Sequence, residues 1–256
     1  MNRKIVLLVI TAILLIPAKN FANEIYVITA YHFNNAQQEI RLDTYLQTAY
    51  LPAMHRKNKM HIGVFKPITN DTSADKIIYV IVPYKTLDEI QLLDKSLLQD
   101  SVYLQAGSDY INAAYNNPAY TRMEKIVLNA FDLAPQMKLP KLDSNKQDHI
   151  YELRSYESAT EAYHRNKVQM FNAGGEIDIF KRLNFNPVFY ADVIVGSHMP
   201  NLMYLTSYEN MDDRNAHWKS FGDDPAWKKV SGMSEYQNNV SHIDDILMHA
   251  TPYSDY

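Results

Sequence analysis

His149-Ile150-Tyr151-Glu152-Leu153-Arg154-Ser155-Tyr156 repeats, 125 residues on, the pattern of Glu24-Ile25-Tyr26-Val27-Ile28-Thr29-Ala30-Tyr31. Both stretches are rich in β-branched and aromatic residues, and both read as strands. The same spacing of 125 relates Ile78-Tyr79-Val80-Ile81-Val82-Pro83-Tyr84 to Met203-Tyr204-Leu205-Thr206-Ser207-Tyr208. A third pair, Asn117-Pro118-Ala119-Tyr120 and Asp224-Pro225-Ala226-Trp227, lies 107 apart, so the first copy carries about 18 extra residues before that corner. Three blocks in one order predict a tandem repeat, and a repeat has to be found before its elements are assigned.

The boundary falls at residues 140–148, where Pro140 opens a polar run without apolar periodicity. The expected organisation is a first domain over 23–139, this linker, and a second domain over 149–256. In the second copy, strands are expected at 150–156, 187–195, 202–208 and 246–250. Helices are expected from Ser158 or Thr160 to Asn172, and over 176–183, 212–221 and 226–236. The first copy is expected to follow, with strands at 25–31, 61–66, 76–82 and 133–139, and helices at 36–54, 87–98 and 108–131. The order β-α-β-β-α-β is the ferredoxin-like arrangement. The fold class is therefore α+β, with two ferredoxin-like sheets. These pair face to face inside one chain, or between two chains as a homo-oligomer built through the sheet faces.

The amino terminus predicts export. Arg3 and Lys4 precede an apolar run over residues 5–16, and Pro17 to Ala22 complete a secretory signal layout over residues 1–22. The run is too short to span a bilayer, which takes about 20 apolar residues. No membrane attachment is expected after cleavage, and the mature chain is placed in a periplasm or outside the cell. The chain has no cysteine, which excludes disulfides, zinc–thiolate sites, cysteine nucleophiles and cysteine-linked lipid. A net charge of −4 with no basic stripe argues against nucleic acid. The 19 tyrosines suit half-buried surfaces and pockets with a polar tip.

Ile150-Tyr-Glu-Leu-Arg-Ser-Tyr156, Leu202-Met-Tyr-Leu-Thr-Ser-Tyr208 with Glu209-Asn-Met-Asp-Asp-Arg214, and Asp223-Asp-Pro-Ala-Trp227 together resemble the NIPSNAP family. The first copy is more divergent, with Val27 and Thr29 where the second has Glu152 and Arg154. The resemblance implies the dimeric α+β barrel fold, which small monooxygenases share. It supplies no catalytic residues.

Strand alternation places Tyr151, Leu153 and Ser155 on one face and Glu152, Arg154 and Tyr156 on the other. The first set is expected under the helices and the second inside the barrel. Tyr190, Asp192 and Tyr208 join the second set to line a cavity. There Arg154 would hold an anionic or carbonyl-bearing ligand, and Glu152 or Asp192 could move a proton. The structural alternative is an ion pair of Arg154 with Glu152 or Asp192 that fixes the sheet. Asp212, Asp213 and Arg214 read as a helix cap with a surface ion pair, and His164 as an exposed helix residue. No two histidines have a helical metal spacing, so neither a metal nor a cofactor is expected. Three functions follow: binding of a small, partly apolar molecule, a cofactor-free monooxygenase or isomerase, and a structural assembly protein. A polar, roomy cavity favours the first two, and a filled barrel the third.

Overall fold

The computed structural model describes residues 22–256, so the signal layout falls outside it save for Ala22. Eight strands close into one barrel in the order β1-β3-β2-β8-β5-β7-β6-β4. The first four are β1 (Ile25–Phe33), β2 (Gly63–Pro67), β3 (Lys76–Tyr84) and β4 (Arg122–Ala130). The second four are β5 (Ile150–Glu157), β6 (Pro187–Val195), β7 (Asn201–Tyr208) and β8 (His242–Ala250). Each half thus has the spatial order fourth-first-third-second. Its lumen face meets the other half within the same chain, which is the first of the two pairings weighed above.

Two seams join the halves, β2 to β8 over Phe65–Pro67 and β4 to β6 over Val127–Ala130. The lumen is filled. Tyr26, Ile28, Phe65, Ile81, Tyr151, Leu153, Phe189 and Leu205 pack there, and Tyr256 joins them. An eight-stranded barrel has an interior just wide enough for side chains to fill. A closed barrel also leaves no unpaired sheet edge.

Helices cover the outside. In the first half these are α1 (Ala36–Tyr45), a π-helical turn (Leu46–Tyr50), α2 (Leu51–Arg56), α3 (Leu87–Leu97), α4 (Ser101–Ala106) and α5 (Ser108–Ile111). In the second half they are α6 (Glu161–Phe171), α7 (Glu176–Arg182), α8 (Met211–Asp223) and α9 (Pro225–Ser231). Each long helix opens on a capping side chain. Asn35, Thr86, Thr160 and Asn210 accept from the backbone N–H three residues on, at α1, α3, α6 and α8. Asp224 caps α9 from the Asp-Pro-Ala-Trp corner, with Pro225 in the first turn. Its carboxylate also takes both arms of Arg182 at 2.8 and 2.9 Å, and that guanidinium, with the cap, holds its pKa down at about 2.

Several expectations need correction. The fourth strand of the first half is not at 133–139, and no helix runs over 108–131. Instead α5 is a single turn and residues 122–130 form β4. Ile126, Leu128 and Ala130 alternate toward the lumen, and pairing with both β1 and β6 decides the strand. Consequently Pro118-Ala119 sits in the loop entering β4, whereas Pro225-Ala226 opens α9, so the two corners are not equivalent. The expected helix over 36–54 is interrupted by the π turn, and β8 begins four residues earlier than expected, at His242.

Candidate functional site

Glu152, Arg154, Tyr156, Tyr190, Asp192 and Tyr208 do share one layer, but it is the layer between sheet and helices and not the barrel lumen. The lumen takes Tyr151, Leu153, Phe189, Ala191 and Val193. Tyr156, Tyr190 and Tyr208 pack instead with Phe171, Phe180, Phe185 and Phe221 from the helical side. The inversion has an electrostatic cause. A carboxylate and a guanidinium in an apolar lumen would lack partners, whereas the helices supply them.

Glu152 is 0% exposed and is saturated with donors. Arg154 donates to it at 2.7 Å, Arg214 of α8 at 2.8 and 2.9 Å, and the Trp218 indole N–H at 2.6 Å. Burial opposes its ionisation, but these donors win and hold its pKa below the usual range. Asp245 of β8 accepts from the same two arginines at 3.0 and 3.1 Å. Its pKa is pushed up to about 6 by burial and by the Glu152 charge beside it. Arg154 lies 4.7 Å over the Trp218 ring and donates to the Tyr156 hydroxyl, which meets that of Tyr204 at 2.8 Å. Arg214 is therefore a core partner and not half of a surface pair, and Asn210 takes the cap expected of Asp212 and Asp213.

Asp192 pairs with His164 at 2.6 Å, and His164 is buried where an exposed position was expected. Beneath α6, Lys167 and Glu176 form a second buried pair at 2.8 Å, and desolvation raises the Glu176 pKa. Each charge here is matched and the space around it is occupied. The expected residues form a cross-braced core, and Arg154 and Glu152 make the ion pair of the structural alternative.

The same layer of the first half is different. Where the second half has Glu152, Arg154 and Tyr156, it has Val27, Thr29 and Tyr31, so the carboxylate and guanidinium that fill the space in the second half have no counterparts on β1. A cavity of about 310 Å³ opens there. Five tyrosines line it: Tyr31 from β1, Tyr45 from α1, Tyr50 from the π turn, Tyr103 from α4 and Tyr110 from α5. Tyr45 and Tyr110 stack with centroids 3.7 Å apart and planes at 8°, and the Tyr45 and Tyr103 hydroxyls meet at 2.9 Å. Asp94 and Lys125, 3.7 Å apart and half exposed, also belong to the wall. Burial raises the pKa of all five tyrosines, so each stays a neutral hydroxyl that donates and accepts.

The π turn is part of this construction. The Leu51 N–H reaches back to the Leu46 carbonyl, so the turn holds one residue more than an α turn and brings Tyr50 to the cavity. Single π turns inside helices concentrate at functional sites. Reasoning from the sequence missed this cavity because it followed the better-matched second copy. The tyrosine count was the one signal pointing to it. A wider groove of about 670 Å³ runs between Lys138–Lys141 and Lys181–Pro187, but it is open and lined by surface lysines and apolar stems, without a comparable set of buried hydroxyls.

Comparison with known proteins fits this architecture. The NIPSNAP family model matches residues 151–255. No curated protein matches the chain. A candidate monooxygenase from Lactobacillus acidophilus superposes with a TM-score of 0.58 at 11% identity, covering 89% of this chain and 94% of that one. One from Fusobacterium nucleatum gives 0.57 at 7% identity, covering 90% and 93%. At such identities the likeness is one of fold. A NIPSNAP-like domain protein from Burkholderia xenovorans matches at 20% identity over 42% of this chain and 90% of its own, with a TM-score of 0.38. The likeness of this chain to the NIPSNAP family is thus carried by residues 151–255.

Proposed function

We propose that this chain is an exported, tandem-duplicated binding protein that holds a small planar molecule, partly apolar and bearing hydroxyl or carbonyl groups, in the tyrosine-lined cavity of its first half. The observation that carries the reading is the convergence of five tyrosines, three buried and two half-buried, on one cavity of about 310 Å³. That volume is at the lower end for small-molecule sites, which join apolar walls to a few placed polar groups. Aromatic faces would stack on a flat ring, and the hydroxyls would set its orientation. The second half then serves as the rigid partner that completes the barrel. The filled lumen removes the barrel interior as the binding chamber, and the outer layer of the first half takes its place.

A cofactor-free monooxygenase or isomerase needs a base that can take a proton from its substrate. Tyrosines held neutral by burial do not supply one, and Asp94, the carboxylate in the wall, is paired with Lys125 at its half-exposed rim, so binding is preferred over turnover. The test is native mass spectrometry on protein from its own host, alongside Tyr45→Phe/Tyr103→Phe. Each lost hydroxyl contact weakens binding by about 0.5–1.5 kcal/mol, so the double variant should hold its ligand roughly tenfold or more less well. An empty wild-type protein, or an adduct equally retained by the variant, would defeat the proposal.

A further inference from the structure

At the rim of the lumen, four side chains able to bind a metal converge from three separate segments. Glu157 is the last residue of β5, and it stands directly opposite His242, the first residue of β8. Asp244 lies two residues further along β8 and so on the same face as His242. One ligand atom from each of Glu157, His242 and Asp244 lies within 4.8 Å of the others. On the other side of Glu157, the turn between β6 and β7 brings His198, whose Nδ1 is 2.9 Å from the Glu157 carboxylate. The His242 Nε2 is 3.1 Å from an Asp244 oxygen.

We propose that Glu157, His198, His242 and Asp244 form a binding site for a divalent transition-metal ion of the zinc class. Two imidazoles and two carboxylates form a mixed nitrogen–oxygen donor set. Such a set suits zinc, nickel or copper, whereas calcium and magnesium take oxygen ligands almost alone. Ligand atoms of a tetrahedral zinc with bonds of 2.0–2.1 Å lie about 3.3 Å apart. The Glu157, His242 and Asp244 atoms are within reach of that spacing through side-chain rotation, and His198 stands beside Glu157. All four side chains reach solvent, Glu157 at 23% and His198 at 65%, so an ion has an open approach. The backbone beneath them is fixed. Glu157 is flanked in the sheet on both sides, opposite Asn201 of β7 and His242 of β8, and its carbonyl accepts from the Ser241 N–H at 2.8 Å. The Ser158 N–H and the Pro200 carbonyl, 3.0 Å apart, tie the turn carrying His198 to the end of β5. The site lies on the lumen side of the sheet, away from the tyrosine cavity, and does not depend on the function proposed for that cavity.

The ordering in sequence hides such a site. No two of its histidines share a helix, and Glu157 and His242 meet only through strand pairing. That is why the expectation of no metal followed from spacing alone.

The test is competition of untagged protein with a chromophoric zinc chelator, using Zn²⁺ alone and then Zn²⁺ with excess Mg²⁺. The expected result is one Zn²⁺ per chain, not displaced by Mg²⁺. His242→Ala and Glu157→Gln should each weaken binding at least about tenfold, since even residues supporting a ligand cost that much when replaced. His198→Ala should weaken it less, with the far-UV circular dichroism unchanged in all three. Absence of a stoichiometric site in the wild type overturns the proposal. So does zinc binding that survives both His242→Ala and Glu157→Gln, because it would place the ion elsewhere. If one variant fails to fold, Asp244→Asn, at a position 48% exposed, gives the same reading.

Discussion

Glu152 and Asp245 show how one layer treats two neighbouring carboxylates in opposite ways. Glu152 takes four donor bonds and stays ionised, while Asp245, sharing the same arginines at the edge, is pushed up to about 6. Glu152→Gln leaves two guanidinium groups, each under a fifth exposed, to share the single carboxylate of Asp245. Breaking a buried pair in this way costs several kcal/mol, and the partial solvent contact places the loss at about 3 kcal/mol in chemical denaturation. Asp245→Asn should behave otherwise. An acid whose pKa is raised on folding binds its proton more tightly in the native state, so its contribution to stability falls as pH rises from about 4 to about 6. Asp245→Asn removes that slope. Its Tm should equal or exceed that of the wild type at pH 7, and the difference should shrink as pH drops toward 4. A constant difference across this range would mean that Asp245 titrates normally. The sequence identified Glu152, Arg154 and their shared face by strand alternation. It could not show which face the helices cover. That choice depends on Arg214, Trp218 and Asp245, which are 62, 66 and 93 residues away from Glu152 in the chain.

Elements with a clear local signal, such as β1, β5 and the capped helices, lie where their residues predict. The failures are instructive because each is decided by distant contacts. Residues 122–130 open on three charged residues in four positions, Arg122, Glu124 and Lys125, and they become a strand because β1 and β6 flank them. The π turn is likewise invisible to periodicity, since its one surplus residue only rotates the helix that follows. Deleting Thr48, an exposed residue of that turn, should convert it to ordinary α-helix. One residue fewer rotates the chain on one side of the turn by about 100° relative to the other, so Tyr45 and Tyr50 can no longer both face the cavity. The expected outcome is a folded protein with unchanged far-UV circular dichroism, a weaker near-UV tyrosine signal, and loss of any ligand the wild type captures. Retention of the ligand by the deletion variant would mean that the π turn is incidental to the cavity.

At the scale of the whole molecule, neither half encloses its own lumen face. Tyr26, Ile28 and Phe65 from one half meet Tyr151, Leu153 and Phe189 from the other, with Phe65 4.9 Å from Tyr151 and 5.3 Å from Tyr256 between ring centroids. The linker at 140–148 separates the halves in sequence, but the lumen face of each sheet is covered by the opposite one. Phe65→Ala should therefore act on both halves at once. Removing a buried phenylalanine from a close-packed site costs about 3–5 kcal/mol. Gly63 makes a local version of the same point, because a side chain there would strike the Phe65 ring, whose Cζ is 2.7 Å from the position of the added carbon. The measurement is hydrogen exchange on wild type and Phe65→Ala. If the barrel is one cooperative unit, protection falls by similar factors in β1 and β3 and in β5 and β7, although none of the last two strands' residues was changed. Loss confined to the first half would show two independently stable sheets in contact, and the second half could then hold its fold without its partner. Equal loss would mean that the more divergent half, whatever it binds, cannot be removed without unfolding the half that carries the family's sequence.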